Sequence, residues 1–186
     1  MKIKDLSGII LAFTLVGCGG ANDHPEELKG TWVENCRSTV SSYTFDEGLT
    51  LNATSYTDSG CNQRRANLAF ELSAMYDPEL KTTSSGVQAL KADLTLLNIF
   101  VTPFDDWALQ SYVNTCPSLS WSKGNPTNIK NCNNSSIQGL YAQFEPNLPT
   151  LLYVNNNILY TSKSGTAIGE DGYPLDVDYS KGYIKQ

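Results

Sequence analysis

The 186-residue chain has one histidine, His24, and no Cys-x-x-Cys pair. His24 lies in a small, polar stretch, residues 19–27 (GGANDHPEE), which contains Pro25 and reads as a flexible tether. A base on such a segment is not preorganised, which excludes Ser-His-Asp and Cys-His nucleophilic systems. The same scarcity argues against zinc. No G-x-S-x-G, phosphate-binding loop or dinucleotide fingerprint occurs. Long apolar runs are lacking too. Leu6–Val16 is uncharged but eleven residues long, whereas a helix needs about 20 to span a bilayer. Together with Lys2 and Lys4 it reads as a secretory signal.

Leu15-Val16-Gly17-Cys18 follows that run and resembles the lipobox of bacterial lipoproteins. The resemblance implies removal of residues 1–17 and lipid on Cys18, palmitate among its acyl chains. Gly19 stands where an aspartate would resemble an inner-membrane retention signal, so the expected address is the outer membrane of a bacterial envelope, facing the periplasm or the cell surface. The expected layout is a signal peptide at 1–17, a lipidated tether at 18–27 and one domain at 28–186.

Without Lys2, Lys4 and Asp5 there remain 11 basic and 18 acidic side chains, a net charge of −7. This balance offers no electrostatic footprint for nucleic acid and no attraction to anionic lipid, leaving attachment to the anchor. Charged residues make up only 17% of the chain, while polar uncharged residues and tyrosine are plentiful, which suits an exported β-rich domain.

Apart from Cys18 there are four cysteines: Cys36, Cys61, Cys116 and Cys132. An even number in an oxidising compartment predicts two disulfides. Leu28–Asn35 reads as a first strand, followed by a hairpin of Thr39–Phe45 and Leu49–Tyr56 about Asp46-Glu47-Gly48. Leu49, Leu51 and Ala53 alternate with polar residues, and Leu68–Tyr76 repeats the alternation. In an up-and-down meander Cys36 and Cys61 then share a rim, which predicts Cys36–Cys61 and leaves Cys116–Cys132. Val87–Val101 supplies one or two strands. Thr102-Pro103-Phe104-Asp105 opens a short helix over 103–114, with Phe104, Trp107, Ala108 and Tyr112 facing inward. Ile137–Phe144 is expected as a strand. Leu151–Val154 and Ile158–Thr161 form a hairpin, and Leu175–Tyr179 with Tyr183-Ile184 gives a last strand. The sum is a mainly β, antiparallel up-and-down (calycin-like) barrel of about eight strands with one helix.

Gly30-Thr31-Trp32 in the first strand resembles the Gly-x-Trp opening of lipocalins and the first strand of avidin-like barrels. That resemblance implies a barrel with a tryptophan near one end and an interior that often holds a small ligand. Candidate ligand-binding residues are Trp32, Tyr43, Phe45, Phe70 and Tyr76 on the inner face, and Trp121 in the strap between Cys116 and Cys132. Arg64-Arg65 could meet an anionic group. Glu170, Asp171, Asp176 and Asp178 cluster near the C-terminus, and the last three are a weak alternative for a cation; a solvated acidic edge is the commoner outcome. No cofactor and no catalysis are expected. Two functions remain: lipocalin-like binding of a small apolar or aromatic ligand, or docking of an envelope protein as an assembly or adhesion accessory with a filled barrel core.

Overall fold

A computed structural model describes residues 24–163 and 165–186. The signal peptide, Cys18 and residues 18–23 of the expected tether lie outside them. The elements are β1 (Gly30–Glu34), β2 (Thr39–Phe45), β3 (Leu49–Tyr56), β4 (Arg64–Tyr76), β5 (Lys81–Thr82), β6 (Gln88–Pro103), α1 (Asp106–Thr115), β7 (Thr127–Asn128), α2 (Ser135–Ala142), β8 (Leu148–Asn155), β9 (Ile158–Thr161) and β10 (Tyr183–Lys185). Eight strands pair antiparallel in the ring β1-β2-β3-β4-β6-β8-β9-β10, with β10 returning to β1. This is the closed up-and-down barrel expected from the alternation, and closure leaves none of the eight with a free edge over its paired length.

Strand pairing sorts the interior into rows. One row runs Trp32, Tyr43, Leu51, Phe70, Ile99. The row below it runs Phe45, Leu49, Leu72, Leu96. Strand β6 is a single 16-residue element whose parity changes once: Leu72 opposes Leu96 but Glu71 opposes Asn98. Leu97 is the extra residue of this bulge, so Leu94 and Leu96 face inward before it and Ile99 and Val101 after it. The bulge reconciles two apolar alternations that are out of phase in sequence.

Both expected disulfides are present, with Cα–Cα distances of 6.1 Å for Cys36–Cys61 and 5.4 Å for Cys116–Cys132. The first joins the β1–β2 and β3–β4 loops on one rim. Its loop is organised by Asp58, whose carboxylate accepts from the backbone N–H of Gly60, Asn62 and Gln63 and is held below the usual carboxylate range by them. Cys61 itself sits at φ 54°, in the left-handed region.

Four expectations need correction. Residues 137–144 are not a strand: Ser135–Ala142 is helical, and the Asn134 side chain caps it by accepting from Ser136 and Ile137 N–H. Ile137, Leu140, Tyr141 and Phe144 have helical spacing and pack on the core. The first helix starts at Asp106 rather than 103, because Pro103 ends β6 and Asp105 is the cap, accepting from Ala108 N–H at 2.7 Å. Leu175–Tyr179 is not a strand; Val177 makes only an isolated bridge to Ser162, and the segment lies over the outer face of β6 and β8. Finally, His24 is no part of a loose tether. It is 3% exposed, its Nδ1 is 2.6 Å from Tyr76 Oη, and its ring meets Phe45 and Tyr76 edge to face.

Replacing Cys36 and Cys61 together by serine should lower unfolding stability by ~3 kcal/mol in the chain-entropy model. Urea denaturation with an unmoved midpoint would contradict that role.

Candidate functional site

The barrel is sealed at one end and looser at the other. At the sealed end Trp32, Phe45 and Leu49 are buried and Trp32 Nε1 donates to the Leu28 carbonyl at 2.6 Å. Leu28 belongs to the N-terminal turn, in which its N–H bonds the Pro25 carbonyl. With His24 this turn closes the rim formed by the β2–β3 turn and the end of β4. A surface hollow of about 530 Å³ lies outside this rim, lined by His24, Phe45, Asp46 and Glu47 among others. It is not the interior cup that the sequence suggests.

The other end is the mouth. Its inward row runs Ser41, Ala53, Leu68, Val101 from β2 to β6. On β1, Glu34 opposes Tyr183 of β10, and Tyr183 is buried inside the barrel. Glu34 is two residues beyond Trp32, so it shares Trp32's inward face, and continuing the Val33–Ser42 register sets Ser41 beside it. Val101 and Tyr183 are buried, but Glu34, Ser41, Ala53 and Leu68 are half-buried. Along β3 every residue after Leu49 is half-buried, whichever face it occupies. Solvent therefore reaches both faces of this part of the wall. The inward side chains there, Ser41 and Ala53, are small.

The strap between β6 and β8 covers the rest of the mouth. Phe144 meets Phe70 with centroids 6.2 Å apart, and Ile129 N–H bonds the Ile99 carbonyl. Trp121 donates to the Cys116 carbonyl at 3.0 Å and stacks on Tyr112 at 5.3 Å. It is a packed part of the strap rather than a free anchor.

One polar group of side chains stands inside. The Tyr43 hydroxyl lies near those of Tyr183 and Thr161, and the two tyrosine rings meet edge to face at 4.9 Å. Burial pushes the Tyr43 hydroxyl above its ordinary value, and Tyr183 is raised first by burial and then by Tyr43 and the Glu34 charge. Burial raises Tyr76 as well.

Of the expected ligand residues, only Tyr43 and Phe70 border the mouth. Trp32, Phe45 and Tyr76 belong to the sealed end. Glu34 and Leu68 escaped notice in the sequence, although Trp-x-Glu on a strand whose tryptophan is buried marks Glu34 as inward. Arg64 and Arg65 are occupied, with guanidinium carbons 4.5 Å from the Phe104 and 4.6 Å from the Trp107 ring centroids. Arg65 also lies 3.4 Å from Asp105. Trp107, expected to pack inward, is 66% exposed on this rim.

The acidic segment does not gather a cation site. Asp171 pairs with Lys81, Asp176 accepts from Ser85 Oγ at 2.8 Å, and Asp178 accepts from Ser180 Oγ at 2.6 Å. Among the described residues no three His, Cys, Asp or Glu side chains are placed to hold a metal. These contacts instead fasten the C-terminal segment to the outer wall, where Tyr173 donates to Asp93 at 3.0 Å and burial, followed by that carboxylate, pushes its hydroxyl up to about 12. The strap contains Ser120-Trp121-Ser122-Lys123, an S-x-x-K spacing, but Lys123 is exposed and paired with Asp106 at 2.6 Å, so it is no desolvated base.

No protein-family model matches the chain, and no curated protein matches it.

The buried tyrosines set an alkaline limit. Their ordinary pKa is 10.0 and the folded values are higher. The stability they contribute is complete below 10.0 and is lost as pH rises from there through the folded values. Tyrosinate absorbance should therefore appear together with unfolding. Tyr43→Phe should move the alkaline midpoint upward; an unchanged midpoint would refute the burial argument.

Proposed function

We propose that this protein is a lipid-anchored barrel of the bacterial envelope that binds a small, mainly apolar ligand in its mouth, without catalysis. The carrying observation is the uneven interior. At the sealed end Trp32, Phe45 and Leu49 are buried, whereas the mouth row leaves Leu68, Ala53 and Ser41 half-buried beside half-buried Tyr43 and buried Tyr183. Apolar walls with a few convergent polar groups are the usual make-up of a small-molecule site. The ligand in this reading is small and rests on Leu51 and Leu68, because the lower barrel is occupied by the protein itself.

The mouth sits on the rim opposite the N-terminal turn. A chain tethered through Cys18 would turn its sealed end to the bilayer and its mouth away from it. The lipobox resemblance supports the anchor, and the lipocalin-like reading is supported by the closed up-and-down ring with a Gly-x-Trp opening strand.

A second reading rests on Trp107. An exposed tryptophan beneath an arginine is the chemistry of a protein-docking hot spot, and it suits an assembly or adhesion accessory. Trp107→Ala should abolish an in-cell crosslink to a partner protein under this reading.

The ligand reading is tested with the neutral aromatic probe N-phenyl-1-naphthylamine. Saturable fluorescence enhancement is expected in the unmodified domain, and Ala53→Trp, which fills the mouth, should weaken it at least tenfold, about 1.4 kcal/mol. Absence of saturation, or equal binding by a folded Ala53→Trp variant, would sink the reading. For the anchor, Cys18→Ser should release the protein from membranes into a soluble fraction; continued sedimentation with membranes would refute lipidation.

A further inference from the structure

The structure assigns the mouth a charge preference: we infer that its ligand is an amphiphile with an ammonium head, seated between Glu34 and the Tyr43–Tyr183 pair. This inference rests on the mouth being the binding site and specifies what enters it.

Glu34 faces inward at the end of β1, directly across the pairing from Tyr183. Its side chain forms no ion pair with any lysine or arginine among the described residues; the cationic partners go elsewhere, Lys81 to Asp171, Lys91 to Asp77 and Lys123 to Asp106. Placing a carboxylate beside a buried wall is unfavourable unless a donor or a cation faces it. The adjoining residues do not supply a cation. Ser41 and Ala53 are small and uncharged, Leu68 is apolar, and the Tyr43 hydroxyl lies near those of Tyr183 and Thr161.

A second acid lies near the tyrosine pair. Asp178 also acts on Tyr183 electrostatically, and its own carboxylate is held by Ser180, with Lys181 and Lys163 at longer range. An anionic head would meet the Glu34 carboxylate. An ammonium head meets the carboxylate and the faces or hydroxyls of two tyrosines, which attract cations through the ring quadrupole. The small side chains at positions 41 and 53 provide space beside Glu34 for that head. Leu68 and Leu51, with Phe144 from the strap, provide an apolar surface for its body.

Three probes with one ten-carbon chain separate the possibilities: decyltrimethylammonium, decanol and decyl sulfate, each titrated below its micelle concentration by calorimetry. The cationic probe should bind roughly tenfold more tightly than decanol, the size expected for one partly solvated charge pair, and decyl sulfate more weakly than either. Glu34→Gln should reduce the cationic preference to within about twofold while decanol binding persists. Glu170→Gln, an exposed acid elsewhere, should leave the tenfold preference intact and so removes the effect of the overall negative charge. Equal binding of the three probes, or a preference that survives Glu34→Gln, overturns the ammonium assignment and leaves the mouth as the site. Failure of all three probes to bind overturns both. Thermal unfolding of Glu34→Gln near that of the unmodified protein confirms that the comparison is made on a folded barrel.

Discussion

Pairing of the last strand with the first is the constraint on which the barrel depends. β10 has three residues, yet it supplies the seam on both sides, to Trp32–Glu34 and to Ile158-Leu159. So short a strand adds few backbone hydrogen bonds, and its hold comes from Tyr183, whose ring is buried against Tyr43. The residue that closes the ring is thus also the residue that furnishes the mouth with a hydroxyl. Closure and the polar interior are one arrangement, and loss of the tyrosine pair would open a strand edge as well as strip the mouth of its hydroxyls. Gly182 fits this economy of space: a Cβ there would come within 2.6 Å of the Ile158 side chain, so the turn into β10 demands a residue without one.

The remainder of the chain reinforces one end and one side. The N-terminal turn with His24 and Leu28 seals the lower rim. Residues beyond β9 wrap the outer wall, where Ala89, Leu151 and Val177 form a small second core outside the barrel. The 44-residue connection from β6 to β8, stapled by Cys116–Cys132, replaces β8 beside the upper part of β6 by pairing Thr127 and Asn128 with Val101 and Phe100. No comparable cover lies over β2 and β3. The solvated wall at Leu51–Tyr56 follows from that asymmetry.

Much of the ring was legible in sequence because a strand with one buried face alternates with period two, and Leu49–Ala53 and Leu68–Tyr76 do so cleanly. The Cys36–Cys61 pairing followed from the meander alone. The failures have local causes. The helix at Ser135–Ala142 hid behind β-prone Ile137 and Tyr141, although Asn134 is a capping residue and the apolar spacing is helical. Trp107 shares a helical face with inward residues, but Arg65 from the neighbouring strand holds it at the surface. His24 lies in a stretch whose composition reads as solvated, and long-range contacts, with Phe45 and with Tyr76 52 residues away, bury it. Aromatic character alone is a poor guide to the ligand residues of such a barrel. In a small barrel the largest rings fill the sealed end, and the space lies where the inward residues are small. Glu34 carried the stronger signal, as a carboxylate placed by strand parity on the face of a buried tryptophan.

A small-molecule site at the mouth makes sense of an interior that is filled below and solvated above, in a chain whose only histidine is built into the opposite rim. The most direct measurement is native mass spectrometry of the protein purified from its own source under non-denaturing conditions. A discrete adduct of a few hundred daltons, released on unfolding and absent from the folded Ala53→Trp variant, is the result expected. A spectrum containing only the mass of the processed chain, unchanged after incubation with a small-molecule extract of the same cells, would contradict it.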